Sequence, residues 1–176
     1  MKNKLLLFIV MVLVSCAETH TAENQKLKAA VAEHEALVQT EARTKTFIEG
    51  YLNDLKSPDW NTKILKYLPA DSEAFLKEHT VFRESYTNYS STIKHMAVDG
   101  QECIVWLGIT ANYGATYPIE SGSYGDEAIA AFEPKNQELS WDEVWYFDVV
   151  DGRFGEKWGM LKDFTGILED LEAVKY

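Results

Sequence analysis

Residues 144–158 read Val144-Trp145-Tyr146-Phe147-Asp148-Val149-Val150-Asp151-Gly152-Arg153-Phe154-Gly155-Glu156-Lys157-Trp158. An aromatic and β-branched run stops at an Asp-Gly pair and resumes beyond it, the pattern of two antiparallel strands joined by a tight turn that needs positive φ. Side chains alternate along a strand, so Trp141, Glu143, Trp145, Phe147 and Val149 share one face, and Val144, Tyr146, Asp148 and Val150 share the other. Both faces carry apolar groups. A sheet with one face in water should show polar residues there, so the pattern predicts that something covers each side.

Working outward, a second Asp-Gly pair, Asp99-Gly100, lies between similar runs and predicts strands over residues 92–98 and 101–113. The later pair joins strands over 137–150 and 153–161, and residues 128–132 read as a further strand turned by Pro134-Lys135-Asn136. Upstream the periodicity is helical. Phe47, Ile48, Tyr51, Leu52 and Leu55 mark a helix over 40–54 that Ser57-Pro58 ends. A short helix over 61–67 stops at Pro69, and a third from Asp71 or Ser72 to about Tyr86 places Phe75, His79, Phe82 and Tyr86 on one face. A last helix spans 165–171. Helices followed by an antiparallel meander make an α+β domain. The glycine-rich stretch 114–126 is too long for a simple turn and reads as a pocket rim or lid, or as a surface connection.

The N-terminus carries an address. Lys2 and Lys4 precede an apolar run from Leu5 to Val14, too short to span a bilayer, which takes ~20 apolar residues. The run ends in Leu13-Val14-Ser15-Cys16, which resembles a bacterial lipobox. That resemblance implies a signal peptide over 1–15, a lipidated Cys16 and a membrane-anchored envelope protein, with Ala17 pointing to the outer membrane. Residues 16–39, Ala-rich and weakly apolar up to Gln39, then read as a helical or frayed stalk or linker, and 40–176 as the domain. The whole chain has 17 basic and 28 acidic side chains, a net of −11; a mature chain without Lys2 and Lys4 carries −13. Such a charge argues against nucleic acid and against anionic headgroups as partners, leaving the acyl chains to hold the membrane. With Cys16 lipidated, Cys103 has no partner for an internal disulfide and reads as a buried, inert thiol.

The hairpin at Asp151-Gly152, with its aromatic strand, basic residue, apolar residue and Glu-x-Trp, resembles the SnoaL-like branch of the nuclear-transport-factor-2-like superfamily, over residues 40–171. The resemblance implies helices packed on a strongly curved antiparallel sheet, a cone with a pocket at its open end, and a homodimer formed through the back of the sheet. Members include polyketide cyclases, steroid isomerases, epoxide hydrolases and non-enzymatic binders. In the pattern an Asp stands four residues after the Trp; here Lys162 holds that place and Asp163 comes next.

Candidate site residues follow. Glu143, between two tryptophans, is a candidate acid or base if burial raises its pKa; Asp163 and His79 are the other candidates for acid–base work. Trp145, Trp158 and Tyr113 are expected to line an apolar cavity, with Arg83 and Tyr86 near its mouth. Phosphate loops, dinucleotide turns, Cys-x-x-Cys and His-Glu-x-x-His motifs and nucleophile elbows are absent, and no cofactor or metal is expected. The expected function is binding of a small apolar molecule or a dimeric scaffold, and the alternative is a cofactor-free isomerase or cyclase.

Overall fold

Between Glu23 and Leu55 the chain contains no proline and a single glycine, Gly50, so little interrupts a helix until Ser57-Pro58. In a computed structural model, which describes the backbone of residues 2–116, 129 and 132–171 and side chains from residue 23 onward, helix α1 accordingly runs unbroken over Lys2–Leu55. The contacts divide the chain into two units, Met1–Thr40 and Glu41–Tyr176. In the first, the side chains of Leu27, Val31, Leu37 and Val38 are exposed. Among the described residues no helix is long and apolar enough to cross a membrane. The side chain of Cys16 lies outside the described residues.

In the second unit, α1 turns a buried stripe of Thr44, Phe47, Ile48, Tyr51, Leu52 and Leu55 to the core. Helix α2, Trp60–Lys63, tightens into a 3-10 turn at Ile64–Tyr67, where a single helix over 61–67 was expected. Tyr67 then seals the corner, donating its hydroxyl to Asp54 at 2.8 Å and setting its ring edge-on to Phe47. Helix α3, Glu73–Ser85, runs directly into strand β1, Tyr86–Asp99.

That strand begins six residues before the expected start at 92. The polar run Thr87-Asn88 hides it. Asn88 takes the left-handed conformation, φ 53°, and the ladder with β2 shifts register between Thr87 and Ser90, so an extra residue is absorbed there as a bulge. The strand reads as a turn in the sequence because Asn is a turn residue, yet the bulge keeps both sides paired and buries Tyr89.

Strands β1, β2 (Glu102–Tyr113), β3 (Gln137–Val150) and β4 (Arg153–Lys162) form one antiparallel sheet in sequence order. At the second hairpin Asp151 and Gly152 are the two turn residues, both with positive φ, 49° and 74°. At the first, Asp99 pairs with Glu102 as the last ladder residue, so the turn is Gly100-Gln101 with only Gly100 at positive φ. Thr44 of α1 donates to the Gly100 carbonyl at 2.8 Å, tying helix to turn.

The inner face, carrying Val105, Leu107, Ile109, Trp141, Trp145 and Phe147, is buried under α1: Phe47 and Tyr51 meet Phe154 edge-on, and Tyr51 meets Trp145. The outer face is not covered by described residues. There Trp106, Val144 and Leu161 lie in one cross-strand row, and Ile104, Trp106, Val150 and Leu161 are exposed.

The strand expected at 128–132 is a correction. Of that stretch Ile129 and Phe132 are described; Ile129 is helical, and Phe132 N donates to its carbonyl in place of an extended pairing. Ile129 is nonetheless fully buried, which is why an apolar run there reads as a strand. Most of the expected rim at 114–126 lies outside the described residues. Helix α4, Phe164–Asp170, closes the domain against β3, with the Ser140 amide donating to Asp170.

Candidate functional site

Alternation along β3 places Trp141, Glu143 and Trp145 on one face with the carboxylate between two indoles. Glu143 is 3% exposed, and each of its oxygens accepts one indole N–H: Trp141 Nε1 reaches Oε1 and Trp145 Nε1 reaches Oε2, both at 2.8 Å. Hydrogen bonds to an ionised acceptor are about twice as strong as neutral ones, and a buried carboxylate needs them. The indoles are in turn placed by neighbours. Trp141 lies against Tyr86, and Trp145 against Tyr51 and Trp158.

Beyond Glu143 the polar groups become cationic. Tyr89 is buried, and burial together with the charge of Glu143 pushes its hydroxyl pKa well above the ordinary value. Over its ring, 5.0 Å from the centroid, sits the Arg83 guanidinium, which also covers Trp60 at 5.4 Å and donates Nη1 to the carbonyl of Leu55, the last residue of α1, at 2.8 Å. No carboxylate among the described residues pairs with Arg83. One turn earlier on α3, His79 stacks on Phe75 and meets Trp60 edge-on. Its Nε2 is shut off from solvent without a hydrogen-bond partner among the described residues. Burial, then the charges of Arg83 and Lys162, lower its pKa to about 4.

Lys162 ends β4 directly across the ladder from Glu143, and its ammonium lies over the rings of Phe82 at 4.9 Å and Phe164 at 5.5 Å. Ser91, on the inner face of β1, is the other buried side chain with an unpaired oxygen among the described residues.

The residues singled out from sequence thus fall into separate groups. Arg83 links to Glu143 through Tyr89, and to His79 through Trp60. Asp163 stands apart: the strand has ended at Lys162, and Asp163 is the exposed N-cap of α4, its carboxylate accepting from the Gly166 amide at 3.0 Å. Tyr113 is fully buried, and its hydroxyl donates toward the carbonyls of Ile129 and Phe132, both at 3.3 Å, so it ties the segment after β2 to the sheet. Tyr86 is buried among Phe82, Tyr113 and Trp141. Trp158 is 45% exposed beside Trp145 and Phe154, at the edge of the aromatic region. Cys103 is buried, with its thiol pKa pushed up to about 11, which suits an unreactive core residue. His95 lies against Trp106 on the outer face.

Sequence reasoning missed Tyr89, Trp60, Ser91 and Lys162 as site residues. For Lys162 a signal was present, a cation where the family pattern has an acid. For Tyr89 the bulge at Asn88 destroyed the alternation that would have shown its face.

No family model matches the chain, and no curated protein does. Solved structures do. A SnoaL-like polyketide cyclase from Agrobacterium tumefaciens superposes with a TM-score of 0.58 at 8% identity, over 73% of this chain and 97% of that one. The domain has the SnoaL-like, nuclear-transport-factor-2-like fold. TsrD from Streptomyces laurentii gives 0.55 at 15% identity, covering 76% and 97% of the two chains. An LEH-like epoxide hydrolase from M. tuberculosis gives 0.53 at 15%, covering 76% and 90%. At these identities a SnoaL-like likeness carries the fold, and the chemistry must come from this chain's own side chains.

The buried imidazole gives a signed expectation. Folded His79 takes up its proton only at about pH 4, whereas the unfolded residue does so near 6.5. Between those values the unfolded state binds more protons, so stability falls as the pH drops through that window. Replacing His79 by Phe keeps a ring against Phe75 and Phe82. Denaturant titrations should show wild type losing more stability than His79→Phe between pH 6.5 and 4, by roughly 2–3 kcal/mol; parallel losses would contradict a buried neutral imidazole.

Proposed function

We propose that the SnoaL-like domain is a binding module for a small, largely apolar molecule, presented on a bacterial envelope membrane by a lipid on Cys16 and paired with a second copy through the outer face of its sheet. The observation that carries the binding reading is the buried, unpartnered His79 Nε2, whose ring lies against Trp60 and Phe75, with Ser91 Oγ on the inner face of the sheet as a second such atom among the described residues. Buried polar atoms are almost always satisfied, so those left open are where a ligand or water completes the arrangement. Two neighbours of this fold are named as a polyketide cyclase and an epoxide hydrolase, names of enzymes of small molecules, and a small-molecule ligand here fits with that.

Proton transfer has less support in this chain. Both oxygens of Glu143 are engaged by indoles, and the Asp163 carboxylate caps a helix in solvent. General acid–base work needs two titratable groups within reach of one substrate proton. The pairing reading rests on the exposed apolar row of Trp106 and Leu161 with Ile104 beside it, a patch that water-facing sheets ordinarily avoid.

Native mass spectrometry of full-length protein purified from its source cells should reveal a bound non-protein mass that denaturation releases. Empty protein that also fails to bind any member of a small-molecule library would contradict the binding reading. In the same cells Cys16→Ser should move the protein from the membrane to the soluble fraction, and retention would refute lipidation. On the outer face, Trp106→Glu should halve the mass measured by light scattering in detergent, after correction for the micelle; a wild type already at one chain per particle would refute the dimer.

A further inference from the structure

A net charge of −11 makes two neighbouring half-buried cations without an ion pair among the described residues unexpected. Arg83 and Lys162 are such a pair. They come from different elements, α3 and β4, and each shares an aromatic neighbour with His79: Arg83 through Trp60, and Lys162 through Phe82. Each faces aromatic rings in place of a carboxylate: Arg83 over Trp60 and Tyr89, Lys162 over Phe82 and Phe164. Ring faces stabilise a cation by about 0.5–2 kcal/mol, less than an ion pair does in a dry site, so the arrangement leaves room for an anion.

We infer that Arg83, Lys162 and the Nε2 of His79 form a carboxylate-binding site, so that the ligand is an apolar acid whose body lies against the surrounding rings and whose carboxylate meets these three groups. The inference deepens the proposed binding function and rests on it. Arg83 is half-committed: Nη1 holds the Leu55 carbonyl, which fixes the guanidinium in place and leaves its other N–H groups to a ligand. Fixing the fork beforehand lowers the ordering cost of binding. His79 Nε2, out of solvent and unpaired, offers either a donor or, once protonated beside an anion, a charged donor.

The wall chemistry separates a carboxylate from a phosphate. Trp60, Phe82 and Phe164, partly buried, set ring faces against the cations, and a dianionic, strongly hydrated group would lose more hydration than a carboxylate on meeting them. Glu143 closes the far side. Its charge, directly across the ladder from Lys162, is already met by two indoles and would repel an acid that entered deeper, so the carboxylate stays at the α3 side.

A probe series tests this without knowing the natural ligand. Full-length protein in detergent is titrated calorimetrically with 2-naphthoate, 2-naphthalenemethanol and 2-naphthylmethylamine, three molecules with one ring system and different charge. The acid should bind at least tenfold more tightly than the alcohol, and the ammonium compound most weakly. Lys162→Gln should bring the acid to within about threefold of the alcohol while leaving the alcohol unchanged. Arg83→Gln should do the same, and if loss of the Leu55 contact unfolds that variant, Lys162→Gln and the wild-type series still decide. Equal affinity for acid and alcohol, or an acid affinity unmoved by Lys162→Gln, overturns the carboxylate site while sparing the binding module. No binding of any of the three, with inorganic phosphate equally inert, overturns the site together with the reading beneath it. Phosphate competing with naphthoate at equal strength overturns the choice of a carboxylate.

Discussion

A carboxylate held between two indoles is the constraint on which this domain depends. Glu143 could not sit on the inner face of a sheet without donors, and Trp141 and Trp145, one step away on either side in the face-sharing series, supply one each. The clasp then fixes two large rings in orientation. Trp141 becomes the wall against which Tyr86 packs where α3 passes into β1, and Trp145 the wall for Tyr51 of α1 and for Trp158. Removing the acid would leave two indole N–H groups unsatisfied in the core, and would loosen the contact surfaces of three elements at once.

The same carboxylate organises the charges around it. Lys162 is its cross-strand neighbour, Tyr89 feels its field, and Arg83 covers the other side of Tyr89. From β3 to α3 the groups therefore pass from an acid engaged by indoles, through a phenol, to cations over ring faces, with Arg83 also held by the Leu55 carbonyl. The negative end is internally complete and the positive end is not. Among the described residues the buried Glu143 carboxylate already has a neighbour for each oxygen.

Much of this fold was legible in the sequence, for local reasons. Asp-Gly pairs flanked by aromatic and β-branched runs announce hairpins, and the α1 stripe from Phe47 to Leu55 repeats at helical spacing over enough residues to be unmistakable. The failures have equally local causes. Asn88 shifts one strand by a residue, which hides both the start of β1 and the inward face of Tyr89. Ile129 is buried in a helical conformation, and a short apolar run without clear periodicity cannot tell a helix from a strand. Glu143 was visible as an acid between tryptophans, but whether those rings would serve it as donors or merely desolvate it depends on side-chain geometry. The cationic cluster is assembled across the tertiary fold from positions more than seventy residues apart, Arg83 and Lys162, and no spacing rule reaches that far.

The clasp can be observed directly through amide-type exchange at the five tryptophan indoles, followed by two-dimensional NMR after transfer to deuterated buffer. The Nε1 protons of Trp141 and Trp145 should outlast those of Trp60 and Trp158 by at least a hundredfold, and in Glu143→Gln, where an amide N–H₂ replaces one acceptor, one of the two protected signals should lose that protection. Indoles at 141 and 145 that exchange as fast as the exposed Trp158, or that keep their protection when Glu143 is changed, would contradict the account.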